Sequence, residues 1–374
     1  MPVAAGVRVG ERHDDDVPDA RGDLLAAPWA AVGLAGGVGL DRAHLSGPPG
    51  ERVASEHGAQ RSRTGLSRTC HEALSPLAAE VWADGCRFRY NFPMDSFRLG
   101  VRFHPALCAG ADGDDGLVPG DLLRLAAAAE EAGSEAVLVS GDRVPGAPAD
   151  PFVLLGALAA TTSRVVLGCV ATTAGERHPA VLAKTVAALD VCSEGRALAC
   201  LGAPPDPGGG GLDELAETLR VVRLMLDTPA PSFAGRYFAI EGAWNEPRAG
   251  RATPTPLGVL LPAPRGPGPG ALPFSPAALA TLVARHADLC FVEAGNGDMT
   301  ILRDVGRALR AIAAPIVALV SAVAGATPGD VASLAERALG APCWGVVIDW
   351  RTAPSTDRVT EVVTAVREVV PLSD

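Results

Sequence analysis

The pattern of hydrophobic and polar positions becomes regular from residue 94 onward, where short apolar runs alternate with longer segments of helical spacing. The stretch 150–205 shows it best. Asp150-Pro151 predicts the start of a helix, because Asp is a good N-cap and Pro fits the first turn. Val165–Ala171 and Ala197–Ala203 are nearly all apolar, which predicts strands covered on both faces. Together these segments predict consecutive βαβ units with parallel strands.

The same alternation continues to the C-terminus and predicts eight strands, each followed by a helix. That number and order are typical of a (β/α)8 TIM barrel. The alternative is an open, doubly wound sheet. The barrel is favoured because no G-x-G-x-x-G fingerprint follows the first strand, Phe97–Phe103. It is also favoured because eight strands are predicted, the number that a closed (β/α)8 barrel contains. We then expect the active site at the C-terminal ends of the strands.

Residues 1–93 have a different composition, rich in Gly, Arg, Ala, Asp and Ser, with poor apolar periodicity. The sequence predicts a poorly structured N-terminal extension over 1–93 and a barrel domain over 94–374. Met94 stands directly before the first convincing strand, which suggests the hypothesis that it is the native start. Mass spectrometry that finds residues 1–93 intact and protease-resistant would refute this hypothesis.

The net charge of −11 and the sequence pI of 5.2 argue against binding to nucleic acid or to an anionic membrane surface, since both require a basic surface. The apolar stretch 24–40 contains Pro28 and follows an acidic run, so we expect neither a signal peptide nor a membrane span. The eight cysteines show no CxxC pair. They are expected to be reduced core thiols of a cytoplasmic protein.

Polar residues follow several predicted strands and are candidates for chemistry, although a strand-end residue is often only a loop residue or a helix cap. The sequence shows no metal-ligand spacing, no G-x-S-x-G elbow and no P-loop. A cofactor is therefore expected to carry the chemistry. The strand-end candidates are His104, Asp142, Arg143, Thr172, Thr173, His178, Glu293, Asn296, Asp298, Ser321, Asp349 and Arg351.

Five segments, in order, resemble motifs of the luciferase-like monooxygenase family. They are the Gly-Asp-Arg at 141–143, DPFVLLGALAATTSRVVLG at 150–168, HPAVLAKTVAALDVCSEGR at 178–196, FAGRYFAIEGAWNEPR at 233–248 and ATLVARHADLCFV at 280–292. The resemblance runs from about Phe97 to the C-terminus. It implies a (β/α)8 barrel and a two-electron redox reaction on a flavin-type ring.

The HP-x-x-x-A-K helix and the A-R-H-A-D segment resemble the deazaflavin branch of this family. The resemblance therefore implies coenzyme F420 as cofactor, with hydride transfer or monooxygenation of a small organic substrate. FMN together with a partner flavin reductase is the alternative. The resemblance also implies a homodimer that pairs through the helices beside the second and third strands.

The resemblance assigns roles residue by residue. Asp142 and Arg143 would lie near the cofactor ring, with Arg143 or His104 as the proton donor. The backbone at Gly168, Cys169 and Val170 would form a bulge with a cis peptide that supports the ring. The remaining cofactor-binding positions are His178, beside Lys184 on the same helix, and Gly202, Gly208 and Gly209 near the cofactor phosphate.

Three loops depart from the family pattern. Arg143 replaces the usual His, the segment after the fourth strand reads LGAPPDPGGGG, and the segment after the fifth reads LLPAPRGPGPG. Prolines at 204, 205 and 207 remove backbone donors from the expected phosphate site. A non-catalytic barrel that has lost its cofactor is therefore a third hypothesis.

Overall fold

The computed structural model describes nine stretches of the chain: residues 98–104, 119–141, 150–173, 177–203, 211–248, 254–262, 275–294, 299–312 and 314–370. All of them belong to one unit of the chain, Leu66–Asp374. The predicted boundary between residues 93 and 94 lies outside the described residues, so it stays a prediction.

Eight parallel strands close into a barrel, which confirms the predicted fold. Each strand pairs with its neighbour along the chain, and the first pairs with the last, Leu99 lying opposite Val346. The barrel strands are β1 (Leu99–Phe103), β2 (Ala136–Ser140), β3 (Val166–Thr173), β4 (Ala197–Gly202), β7 (Leu257–Leu261), β8 (Leu289–Glu293), β9 (Ile316–Ala322) and β10 (Gly345–Trp350).

Eight α-helices lie among the described residues and alternate with these strands. A short 3₁₀ helix, Arg310–Ile312, extends the sixth. The α-helices are α1 (Pro119–Glu131), α2 (Pro151–Thr161), α3 (Pro179–Cys192), α4 (Gly211–Asp227), α5 (Pro276–His286), α6 (Thr300–Leu309), α7 (Pro328–Leu339) and α8 (Thr356–Arg367).

The predicted helix starts are confirmed where the capping chemistry is clear. Asp150 accepts a hydrogen bond from the Phe152 N–H at 2.9 Å and caps α2. The segment DLLRLAAAAEEAG at 121–133 predicts a helix with Asp121 as its N-cap. This prediction is wrong by two residues, because α1 begins at Pro119. Proline is favoured at the first helical position, so Asp121 falls inside the first turn.

The segment FAGRYFAIEGA at 233–243 alternates around a turn and predicts a surface hairpin. The structure confirms it as β5 (Phe233–Ala234) and β6 (Ala239–Ile240), an antiparallel pair outside the barrel. The carboxylate of Glu217 on α4 accepts hydrogen bonds from three consecutive backbone N–H groups of the hairpin turn, residues 236–238. These bonds attach the hairpin to the outer face of α4.

No described helix is both long enough and apolar enough to cross a bilayer.

The barrel lumen is filled by side chains from alternate positions of the strands. Gly168 on β3 points inward, and a Cβ there would lie 2.8 Å from Leu138 Cδ2 and 2.9 Å from Leu198 Cδ2. The absence of a side chain at this position makes room for both leucines. The lower lumen is thus a packed apolar core, and any ligand must enter from the C-terminal ends of the strands.

Candidate active site

Charged side chains gather in the lumen at the C-terminal ends of the strands. Arg102 lies within β1 and His104 follows that strand directly. Glu293 ends β8, while Asp349 lies in β10 with Arg351 just after it. Three elements that are far apart in sequence therefore bring five polar groups together at the mouth of the barrel.

Four of these groups form a closed set of ion pairs, which we call the ion-pair ring: Arg102, Glu293, Asp349 and Arg351. Arg102 Nε donates to Asp349 Oδ1 at 2.6 Å, and its Nη2 to Glu293 Oε1 at 3.0 Å. Arg351 Nε donates to Asp349 Oδ2 at 2.9 Å, and Arg351 Nη2 lies 3.4 Å from Glu293 Oε1. Each guanidinium thus joins both carboxylates.

His104 attaches to this ring through Asp349. Its Nε2 lies 2.8 Å from Asp349 Oδ1, the same oxygen that accepts from Arg102. The Arg102 and Asp349 side chains are 0% and 1% exposed, whereas that of Arg351 is 51% exposed. The ion-pair ring therefore extends from the closed lumen to the open mouth. The imidazole of His104 lies beside Arg102 and Asp349, the buried members of the ion-pair ring.

Burial alone would raise the pKa of Asp349. The hydrogen bond from His104 and the charge of Arg102 outweigh it and hold that pKa well below its usual range. Burial also opposes the charge of Arg102, but the nearby carboxylates of Asp349 and Glu293 raise the pKa of its guanidinium above the ordinary value. Asp349 is therefore a carboxylate, and Arg102 a cation, at any pH at which the protein would work.

Four of the predicted site residues, Asp142, Arg143, Gly208 and Gly209, lie outside the described residues. Of the three predicted catalytic residues, the structure therefore describes only His104. It lies at the mouth, as its strand-end position predicts, and within hydrogen-bond distance of a buried carboxylate.

The predicted bulge in β3 is present. The register between β3 and β4 shifts between Val170 and Thr172, just after the three predicted residues. The predicted cis peptide is absent there: among the described residues, the cis bond is Glu246–Pro247. Gly168 and Val170 face the lumen, while Cys169 belongs to the core between strands and helices.

The remaining two positions are His178 and Gly202. His178 caps α3, because its Nδ1 accepts from the Ala180 N–H at 3.3 Å, and its ring packs edge-on against Phe238 at 5.7 Å. The structure thus gives His178 a structural contact. Gly202 ends β4, and a Cβ built there would meet no atom of a described residue within 4 Å. Among the described residues, the end of β4 is therefore open.

The sequence analysis did not identify Arg102, and it named Asp349 only as one of the strand-end candidates. A signal for Arg102 was present. In β1 the apolar residues Leu99, Val101 and Phe103 take the outward positions, so the intervening Arg102 must face the lumen. A charge at a lumen position requires a partner inside the barrel.

In the described parts of the chain, no three His, Cys, Asp or Glu side chains converge as a metal site would require.

The comparison with protein families gives one match. The model of the luciferase-like monooxygenases matches residues 102–339, more than half of the chain. The chain belongs to the luciferase-like monooxygenase family. The predicted family is thereby confirmed. A search of curated protein sequences finds no significant match.

Many solved structures share the fold. An F420-dependent secondary alcohol dehydrogenase, solved with an F420-acetone adduct, has a TM-score of 0.56 at 17% identity and covers 73% of this chain and 99% of its own. An F420-dependent tetrahydromethanopterin reductase from Methanopyrus kandleri scores 0.57 at 16% identity, covering 74% and 100%. The FMN-bound oxygenating constituent of 3,6-diketocamphane monooxygenase from Pseudomonas putida scores 0.54 at 15%, covering 74% and 100%. At these identities the likeness shows the fold alone.

Two features of the mouth fit a flavin-type cofactor. Among the described residues, no side chain beside Gly202 obstructs a bulky ligand at the end of β4. Arg102 Nη1 is buried and makes no hydrogen bond to any described residue, so it can still donate to an acceptor oxygen. Flavin-type rings carry such oxygens. The described residues are thus compatible with the cofactor class of the family, but they do not distinguish F420 from FMN.

Proposed function

We propose that this protein is an oxidoreductase that uses coenzyme F420 to transfer a hydride to or from a small organic substrate. The observation that carries the proposal is the hydrogen bond between His104 and the buried Asp349 at the mouth of the barrel. A two-electron transfer of this kind needs one proton donor or acceptor beside the reacting carbon or oxygen. His104 supplies that group, with Asp142 and Arg143 proposed beside it.

The residues have separate tasks in this proposal. The cofactor supplies the hydride chemistry when it is bound. Gly202, with Gly208 and Gly209, leaves room for its phosphate, and Gly168, Cys169 and Val170 form the strand that backs its ring. The packed lumen below Gly168 closes the site to water from beneath. His104 holds or releases a proton at its ring nitrogen.

Titration of the purified full chain with F420 and with FMN, followed by absorbance and fluorescence, tests the proposal. We expect micromolar binding of F420 and much weaker binding of FMN. Preferential binding of FMN would replace the proposal with an FMN-dependent monooxygenase that needs a partner reductase. Binding of neither cofactor would favour the non-catalytic barrel.

A substitution at Gly202 links this test to the structure. The side chain of G202V would extend from the end of β4, where a Cβ meets no atom of the described residues within 4 Å. We expect the protein to fold normally and to bind F420 about tenfold more weakly or worse, a loss of about 1.4 kcal/mol. Unchanged binding in a folded G202V would place the cofactor elsewhere.

We also propose that the protein forms a homodimer, as the family resemblance implies, through α2 and α3. The outward positions of α2 support this, because Val153 is 71% exposed and Ala157 and Ala160 are exposed beside it. A helix that is apolar on its outer face as well as its inner face is typical of a buried element.

A further inference from the structure

The ion-pair ring has a property that the proposed function does not use. Asp349 Oδ1 accepts two hydrogen bonds at once, from Arg102 Nε at 2.6 Å and from His104 Nε2 at 2.8 Å. Asp349 Oδ2 is occupied by Arg351. Both carboxylate oxygens are therefore engaged, and the imidazole shares its oxygen with a permanent cation.

We propose that Asp349 and Arg102 are positioning residues that hold neutral His104 in its Nε2–H tautomer and keep it free to release its second proton. This inference rests on the proposed function, in which His104 transfers the proton. Asp349 determines which ring nitrogen faces the mouth, and Arg102 determines how strongly the carboxylate retains an imidazolium.

The tautomer follows from the state of Asp349. An ionised carboxylate can only accept hydrogen bonds. The 2.8 Å contact therefore requires the hydrogen on His104 Nε2. The other ring nitrogen, Nδ1, is then the one that gains and loses a proton during turnover. In the neutral imidazole Nδ1 is a hydrogen-bond acceptor, and in the imidazolium it is a donor.

The role of Arg102 follows from charge. A buried carboxylate whose only partner is an imidazole stabilises the imidazolium strongly, because the opposite charge lies close by in a medium of low dielectric. Here a guanidinium, which does not lose its proton, already balances that carboxylate. The imidazolium gains less from Asp349 and gives up its proton more readily.

The other charges around His104 complete this arrangement. Within the described residues they are Arg102 from β1, Glu293 from β8, Asp349 from β10 and Arg351 just after β10. The two guanidinium groups balance the two carboxylates. The ion-pair ring itself is thus neutral, and His104 contacts it through Asp349.

Arg102 is held firmly enough to act in this way. Its side chain is 0% exposed, and it binds carboxylates from two different strands. Nε and Nη2 fix the plane of the guanidinium, so it cannot turn away from Asp349 without breaking both ion pairs. A lysine would keep the charge but lose this two-point attachment.

Nuclear magnetic resonance on the full chain without cofactor tests the inference. Long-range correlations of the imidazole ¹H and ¹⁵N nuclei report the tautomer and the charge of each histidine, and H104N assigns the signal. In the native protein we expect neutral His104 as the Nε2–H tautomer. A dominant Nδ1–H form would overturn the inference. Because no cofactor is present, the result is independent of whether F420 binds.

Two variants separate the two roles. In D349N the His104 imidazole should no longer hold a single tautomer, and it should lose its proton at lower pH than in the native protein. In R102M the tautomer should persist, while the pH of half-protonation rises by about one unit or more, because Asp349 loses its buried counter-ion, keeps only the half-exposed Arg351, and stabilises the imidazolium more strongly. R102K should restore most of the native behaviour. Shifts of the same sign in D349N and R102M would overturn the inference.

R223M is the matched control. Arg223 on α4 is likewise an arginine paired with an aspartate, Asp288, which directly precedes β8 at the N-terminal end of the barrel. Its loss should leave the His104 signal unchanged. Once a substrate is known, D349N should lower kcat about 100-fold or more with little change in KM, since it alters proton transfer rather than binding.

Discussion

At the scale of single residues, glycines that face the lumen of this barrel leave the space that large neighbouring side chains fill. Gly168 is surrounded by Leu138 and Leu198. Gly258 lies against Phe291, with 3.1 Å between a Cβ built there and the Phe291 ring. Large side chains fill the volume that the glycines leave, so the interior reaches the density of an ordinary core. Such positions tolerate little added volume.

We therefore predict that G168A destabilises the protein by about 1–3 kcal/mol, because the new methyl group overlaps two leucines in a packed interior. The change is measured as a shift of the midpoint of urea denaturation at constant slope. G156A on α2 is the control, since a Cβ there meets nothing within 4 Å. It should stabilise the protein by about 0.5–1 kcal/mol. Equal stability of G168A and the native protein would mean that the lumen is not filled.

At the scale of elements, polar side chains that are buried or half-buried join the helices to the strands at the N-terminal end of the barrel. Arg196, just before β4, donates to Ala159 O, Val165 O and Ser193 O and to both oxygens of Thr162, at distances of 2.8–3.1 Å. It thus joins the end of α2 and the starts of β3 and β4. Arg196 closes the HPAVLAKTVAALDVCSEGR motif.

Glu130 of α1 performs a similar task for the turn between α2 and β3. Its carboxylate accepts hydrogen bonds from the backbone N–H groups of Ser163, Arg164 and Val165, the last two at 2.6 and 3.0 Å through Oε1. Burial alone would raise the pKa of Glu130, but these bonds lower it below the ordinary value. The link therefore depends on the ionised form.

This link predicts a pH dependence of stability. The pKa of Glu130 is lower in the folded than in the unfolded chain, so its contribution is complete above its unfolded pKa of about 4.3 and is lost as the pH falls through the folded value. E130Q should lower the free energy of unfolding by about 2 kcal/mol at neutral pH. The difference from the native protein should shrink in acid. Denaturant unfolding at a series of pH values measures it.

E131Q is the control for this experiment. Glu131 carries the same charge one residue further along α1, and its side chain is exposed. Its neutralisation should change stability by less than about 0.5 kcal/mol at every pH. If E130Q and E131Q behaved alike, the backbone hydrogen bonds of Glu130 would not contribute to stability.

At the scale of the whole molecule, two ends of one barrel have different tasks. The N-terminal end carries the structural contacts of Glu130 and Arg196, while the C-terminal end carries the ion-pair ring and His104. The separation is typical of this architecture, in which stability and chemistry occupy opposite faces. The exposed apolar positions of α2 and α3 form a third surface on the side of the barrel.

We predict that this side surface pairs two copies of the chain. Val153 on α2 is 71% exposed, and Val181 and Val191 on α3 are 56% and 38% exposed. Light scattering of the native protein should give twice the chain mass of 38.1 kDa. The variants V153D and V181D should be monomeric, because a carboxylate in an apolar interface is left unpaired.

V323D is the matched control, since Val323 is 57% exposed but follows β9 rather than lying on α2 or α3. It should remain dimeric. A native protein that is monomeric at micromolar concentration would refute the predicted dimer, and a dimer that survives V153D and V181D would place the interface elsewhere.

Much of the fold could be predicted because its signals are local. Hydrophobic periodicity predicted strands at 97–103, 165–171 and 197–203, and each differs from the observed strand by only one or two residues at an end. The family was recognisable for a related reason. Arg196 and its neighbours have a fixed structural task, so their spacing is characteristic of the fold whatever reaction the mouth performs.

The site was predicted less completely. His104 was found because it follows a strand, but its partner Asp349 lies 245 residues away. Arg102 was missed because the alternation in β1 indicates only that its side chain faces the lumen, whereas the partners that give it a role are 247 and 191 residues distant.

The sequence by itself thus determined the order of strands and helices, the family, and the end of the barrel at which chemistry is expected, because propensity, capping and alternation act between near neighbours. Only the tertiary structure decided which charges meet. Closure of the barrel places β1 beside β10 and brings β8 within reach of the Arg102 side chain. The ion-pair ring, and the state it imposes on His104, exist because the chain closes on itself.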